Sequence, residues 1–136
     1  MTSLKTLAVA LVAAVLLVAS GARADIVPED GVLDFTVVRD GTDIGTHRLT
    51  FRQNGSRVEM DIATRIAVKI AFVTVYRFEH DGHEVWENGK LVEMRTKTHD
   101  DGTEHMLQVV RGTDGNYQVT ADGKTFSADG SLVPAS

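Results

Sequence analysis

The chain contains no cysteine. No disulfide can staple it, and no thiolate can act as nucleophile or metal ligand. Proline is almost as scarce: Pro28 and Pro134 stand near the two ends, where they interrupt no ladder. There is no Gly-x-Ser-x-Gly, no serine set between a strand and a helix, and no amphipathic helix of useful length. Gly41, Gly45 and Gly55 make no phosphate loop, because no helix follows them. Asp122-Gly123 and Asp129-Gly130 lack the alternating oxygen ligands and closing glutamate of a calcium loop. The Asp-Gly spacing is also too irregular for a calcium-binding nonapeptide array. Basic residues are outnumbered 14 to 19, which argues against nucleic acid and against anionic membrane surfaces.

What is present begins with an export pattern. Lys5 and the amino terminus supply positive charge, Leu7 to Ala19 is an unbroken apolar run, and Ala22-Arg23-Ala24 ends it as an Ala-x-Ala site. The run is short for a bilayer span, and polar residues follow it. The expectation is a signal peptide over residues 1–24, cleaved after Ala24, with the product in the periplasm or secreted. A cleavage site without cysteine cannot carry a lipoprotein's lipid. Cleavage removes Lys5 and Arg23 and no acid, so the formal charge of −5 becomes −7. The remainder, 25–136, is one domain of ordinary size, stabilised by its core alone.

Residues 57–70 set the fold class. Val58, Met60, Ile62, Ile66, Val68 and Ile70 occupy even positions, while Arg57, Glu59, Asp61, Arg65 and Lys69 occupy odd ones. A strand turns alternate side chains to opposite faces, so this stretch has one oily and one charged face. Asp-Gly or Asn-Gly pairs then punctuate the chain at 40–41, 54–55, 81–82, 88–89, 101–102, 114–115, 122–123 and 129–130. Such pairs suit the positive φ angles of two-residue hairpin turns. Between them lie the segments 33–39, 44–53, 57–66 or beyond, 74–80, 83–87, 91–98, 104–111, 116–121 and 124–127. The reading is an all-β, antiparallel up-and-down meander, curving into a half-barrel or open barrel around its oily face.

A turn at Asp81-Gly82 sets His80 opposite His83, Phe78 opposite Val85, and Arg77 opposite Trp86 as a cation–π pair. A turn at Asp101-Gly102 sets Thr96 opposite Leu107 and Met94 opposite Val109. Tyr76, Phe78, Val85, Val92, Met94, Leu107 and Val109 then form the inner face, with Phe78 and Trp86 well buried. One junction has no turn residue: Ala67–Val73 is apolar where a loop would be polar. Either one strand runs long and bends, or the stretch makes a helical turn against the sheet. It serves as a plug of the open face or as the mouth for an apolar ligand.

His80-Asp-Gly-His83-Glu84 is the densest cluster of ligating side chains. Two imidazoles and a carboxylate suit zinc in type, but hydrolases with closely spaced histidines set them on a helix, and no third ligand is evident. The reading is a solvated hairpin end, with His80, His83 and Glu84 as weak metal candidates. His99-Asp100-Asp101 with Glu104 and His105 reads as ordinary surface.

Four runs carry a resemblance: Arg39–His47, Val68–His80, Glu84–Leu91 with Trp86, and Thr98–Thr103. Together they resemble a bacterial family of exported proteins catalogued as domain of unknown function six-one-three-four. The resemblance implies a β-rich envelope protein and brings no catalytic residue. Members run on past the position of Ser136, which implies that the last strands are missing and one sheet edge is open.

The sequence therefore predicts a non-catalytic periplasmic protein whose curved sheet shelters an apolar ligand, such as a lipid, or packs on an envelope protein. Its ligand candidates are Ile70, Phe72, Val73, Tyr76 and Phe78. No cofactor and no catalytic residue are expected. The alternatives are a metal-assisted hydrolase using His80, His83 and Glu84, and a purely structural envelope module.

Overall fold

The structure is a computed structural model, and it describes residues 27–130. The expected signal peptide and its cleavage site lie outside those residues. Eight strands form one sheet in sequence order: β1 (Val32–Arg39), β2 (Thr42–Asn54), β3 (Arg57–Ile70), β4 (Val73–Glu87), β5 (Lys90–Asp100), β6 (Thr103–Arg111), β7 (Tyr117–Ala121) and β8 (Lys124–Ala128). Every neighbouring pair is antiparallel. The sheet is open, with β1 and β8 at its edges, and no helix occurs among the described residues.

Turn chemistry explains most of the connections. Asp40, Asn88, Asp101 and Asp122 take φ angles of 51°, 50°, 46° and 47°, and each precedes a glycine at positive φ. Two successive positive φ values define the type I′ turn, whose twist matches that of the strands it joins. At the β2–β3 turn the pair Asn54↔Arg57 closes over Gly55-Ser56, one residue later than the Asn-Gly signal places it. The expected register after Asp101-Gly102 is found, with Met94↔Val109 and Thr96↔Leu107.

Asp81-Gly82 is not a turn. The expected ninth strand merges with its neighbour into the 15-residue β4, and the register built on that turn falls with it. His80 pairs with Thr64 and Thr98, Phe78 with Ile66 and Asp100, and Val85 with Glu59 and Glu93. Phe78 and Val85 therefore lie on opposite faces. Arg77 and Trp86 do not meet; among the described residues a cation–π contact is made by Arg111 over Tyr117, at 6.0 Å. The Asp-Gly pair serves other purposes. A Cβ on Gly82 would stand 3.2 Å from Ile62 Cδ1, so glycine is the residue that leaves room for Ile62. Asp81 instead accepts from Arg65 Nη2 at 2.6 Å across β3.

The real turn lies in the apolar junction. Ile70 pairs with Val73, leaving Ala71-Phe72 as a two-residue turn with Ala71 at φ 54°. Pairing of β2 with β3 begins only at Gly45↔Ile66, and pairing of β4 with β5 ends at Phe78↔Asp100. Beyond those points β3 and β4 ladder only with each other, as a ribbon about 14 Å long at the usual rise per residue, its root still tied at Arg77 and Tyr76 by hydrogen bonds with Asp101 and Asp100. Phe72 is fully exposed at its end. The stretch is neither a helical turn nor a plug.

The two faces differ as alternation requires. One carries cross-strand ion pairs: Arg48–Asp34, Arg52–Asp61, Arg57–Glu87 and Arg65–Asp81. The other carries the core, where Leu91, Met94, Val109, Tyr117 and Val119 cluster with Trp86, Leu107 and Ala128 against them. The Tyr117 hydroxyl donates to the Leu91 carbonyl at 3.0 Å, tying β7 to the start of β5. Phe78 and Trp86 are half-buried rather than fully enclosed.

Candidate functional site

Register across the sheet assembles a row that is scattered in sequence. His47 stands opposite Thr64, Thr64 opposite His80, His80 opposite Thr98, and Thr98 opposite His105. The row therefore runs His-Thr-His-Thr-His across β2 to β6 on the apolar face, with Phe35 opposite His47 at its β1 end. His47 Nδ1 and Thr64 Oγ1 share a hydrogen bond of 2.8 Å, and so do His80 Nδ1 and Thr98 Oγ1. Each threonine holds one ring nitrogen, Nδ1, and the His80 Nε2 lies over Gly82. Strands two apart are separated by about 10 Å, so the imidazoles stand at that interval. Aromatic rings flank them: Phe78 stacks on His80 with 7° between planes, and Phe35 lies 6.0 Å from His47.

Electrostatics differ along the row. Burial pushes the His80 imidazole below its ordinary pKa, against an opposing pull from Asp81. At the far end, His105 donates to or shares a proton with Asp122 at 2.9 Å, and that hydrogen bond raises its pKa. The same contact holds Asp122 below the carboxylate norm.

Two positions toward the core lies Glu84, in register between Met60 and Met94. It is 1% exposed, among the most deeply buried side chains described. Its Oε2 accepts from the Trp86 indole N–H at 2.8 Å, and its Oε1 is buried with no hydrogen-bond partner. A buried polar atom left unsatisfied costs about 1–3 kcal/mol. Such an atom marks a place where a further partner would be favoured.

The residues singled out from sequence are only partly brought together. Tyr76 and Phe78 lie half-buried on the apolar face, and the Tyr76 hydroxyl donates to Asp100 at 2.8 Å. Ile70, Phe72 and Val73 are exposed on the ribbon, away from the row. His80 and Glu84 share the apolar face, but His83 points to the other, where its Nδ1 lies 2.6 Å from Asp61. Partial burial is the largest single influence on Asp61 and raises its pKa, but hydrogen bonds from His83 and Arg52 together with their charges outweigh it and hold the carboxyl below its ordinary range. No group of three or more His, Asp or Glu able to hold a metal occurs among the described residues. Sequence reasoning missed His47, Thr64, Thr98 and His105 as a set. The signal that would have found them is register, which needs every intervening turn placed correctly.

Beside the ribbon, the β1–β2 turn and Ala67–Ile70 enclose an open cleft of about 580 Å³ lined by Arg39, Asp40, Asp43, Ile44 and Lys69 among others. Its wall is mixed in charge and lacks the aromatic rings of the histidine row.

An open meander with one ion-paired face and one apolar face bearing a polar row defines an all-β single-sheet protein. The family follows from comparison: residues 35–136 match the profile of Domain of unknown function (DUF6134), and the chain belongs to that family. No curated protein and no solved structure matches it.

Proposed function

We propose that the chain is an exported, non-catalytic binding module that holds an apolar or amphipathic small molecule on the apolar face of its sheet. The observation that carries this reading is the buried Glu84 Oε1 without a partner, on a face where half-buried apolar side chains surround a row of imidazoles. An apolar body would lie along Leu49, Ile62 and Leu107, and a polar end would meet the Nε2 atoms of His47 and His80. An imidazole held by threonine at one nitrogen can donate or accept a hydrogen bond at the other, which suits a hydroxyl or carbonyl. Export rests on the pattern of residues 1–24, and the periplasm is the compartment proposed.

The metal-assisted hydrolase is disfavoured by His83 facing away from His80 and Glu84. Native mass spectrometry of protein purified from its own periplasm tests the proposal. A small-molecule adduct is expected, lost on unfolding and weakened by His80→Ala. A bare polypeptide mass under gentle conditions overturns the reading, and a stoichiometric metal replaces it with the hydrolase.

A further inference from the structure

The β3–β4 ribbon has a property that no other hairpin of the sheet shares. Its turn, Ala71-Phe72, carries no polar residue, whereas the type I′ turns carry Asp or Asn with Gly. Phe72 is 101% exposed, and the pair Ile70 and Val73 behind it are 67% and 65% exposed. Apolar side chains therefore cover one face of the ribbon and its end, with Val75 exposed further down beside the irregularity at Val68/Lys69.

We propose that this ribbon tip inserts into the interfacial region of a zwitterionic phospholipid bilayer. Three observations select a bilayer over a protein groove. First, the exposed apolar side chains sit at the very end of a two-strand ribbon, with Phe72 fully exposed there. A protein groove reads a long stripe, whereas a headgroup–acyl boundary accepts a short apolar end. Second, the apolar cap is short. From the Ile70/Val73 pair to the end of the turn is about 7 Å, which matches the 5–10 Å to which interfacial segments enter the headgroup–acyl boundary. Third, a polar collar follows at once: Lys69 pairs with Thr74, and Arg39, Asp40 and Asp43 stand beside Lys69 around the cleft. Two cations and two anions in that collar balance, so it fits a surface without net charge, and Lys69 can reach a lipid phosphate. Backbone satisfaction agrees, because strand pairing continues to Ile70↔Val73 and leaves only the two-residue turn to headgroups and water.

The inference stands apart from the ligand reading, since the tip lies away from the histidine row. Flotation with phosphatidylcholine vesicles tests it, using protein purified after the cell's own processing. The parent should float with the vesicles, and added salt should change this little. Phe72→Ser should lower the partition constant about tenfold or more, as expected for withdrawing one aromatic side chain from lipid. Ile70→Ser should lower it less, and both variants should keep the parent's urea midpoint. In Phe72→Trp, added emission should shift to the blue with vesicles and be quenched by brominated acyl chains. A parent that stays in the aqueous fraction overturns the proposal. So does a Phe72→Ser chain that floats like the parent, which would place the lipid contact elsewhere. A parent dimer that Phe72→Ser converts to monomer, with flotation unchanged, also overturns it and assigns the tip to a second copy. Loss of flotation by His80→Ala alone is not expected, so failure here is separable from failure of the ligand reading.

Discussion

The base of β5–β7 and the tip of β3–β4 are made of similar residues and have opposite burial. Leu91, Met94, Val109, Tyr117 and Val119 are almost wholly withdrawn from water, whereas Phe72 is fully exposed and Ile70 and Val73 are about two-thirds exposed. The difference is one of neighbours. At the base, each strand is paired on both sides, so side chains of three consecutive strands shield one another. At the tip, each strand has a single ladder partner, and only the β1–β2 turn stands across an open cleft from it. Hydropathy alone therefore does not decide what is core in a one-layer sheet; the width of pairing around a residue does.

The sharpest test of that contrast is a pair of truncations. Leu91→Ala should lower stability by about 2–5 kcal/mol, the range for a large buried aliphatic side chain. Phe72→Ala should change it by no more than about 0.5 kcal/mol, because no packing is lost. Urea denaturation reads both. Equal losses at the two sites would mean that the tip is packed in solution, and the contrast would fail.

The second test asks whether the base is complete as it stands. Glu84 is a carboxylate among apolar neighbours, with Oε1 unsatisfied. Glu84→Met conserves shape and removes the orphaned atom, while the Trp86 indole loses its acceptor. The ligand-free protein should gain part of the about 1–3 kcal/mol that an unpaired buried polar atom costs. Binding of any polar-ended ligand should weaken in the same variant. A loss of stability would show that Glu84 is already satisfied, for instance by an ordered water.

The third test concerns the turn itself. Ala71 holds φ 54°, a left-handed conformation that costs an L-residue about 1–2 kcal/mol. Ala71→Gly should relieve much of that and raise the thermal midpoint, although glycine's greater freedom in the unfolded chain offsets part of the gain. Ala71→Val should lower the midpoint. No difference between them would indicate a turn of another shape.

Much of this architecture was legible in sequence, for identifiable reasons. Alternation over 57–70 gave the strand and its faces, and the Asp-Gly or Asn-Gly pairs at 40–41, 88–89, 101–102 and 122–123 placed four turns where the structure has them. The same signal misled at Asp81-Gly82, where glycine makes room for Ile62 and asparagine-like turn chemistry is not in play. It was silent at Ala71-Phe72, where a strained alanine does the work of a glycine. These two failures lie in one stretch and hid the candidate site. With β4 broken at Asp81 and the β3–β4 turn unplaced, His80 could not be set opposite Thr64, and the row stayed invisible. Glu84 was visible as a carboxylate near two histidines, but its isolation among Met60, Met94 and Trp86 needed the true register.

The smallest effect measures how far the packed region reaches toward the tip. His80 and His105 lie in one row, yet their imidazoles shift in opposite directions. His80 is depressed chiefly because burial disfavours its charged form, so the unfolded chain binds a proton more readily than the folded one. Its contribution is complete above the ordinary imidazole range of about 6.5 and is lost as pH falls through that range toward the folded value. His105 is raised by its hydrogen bond to Asp122, so its contribution is complete below the ordinary range and is lost as pH rises through the folded value. Asp122, depressed by the same bond, adds stability above the ordinary carboxylate range that is lost as pH falls through its own folded value. Imidazole resonances followed by NMR should therefore give His80 a midpoint below that of His105. His80→Asn should flatten the loss of stability just below neutrality, and His105→Asn should remove a small gain on the acid side of neutrality. If His80 titrates at or above His105, the row is solvated along its whole length. The packed region would then stop short of it, at Ile62 and Glu84.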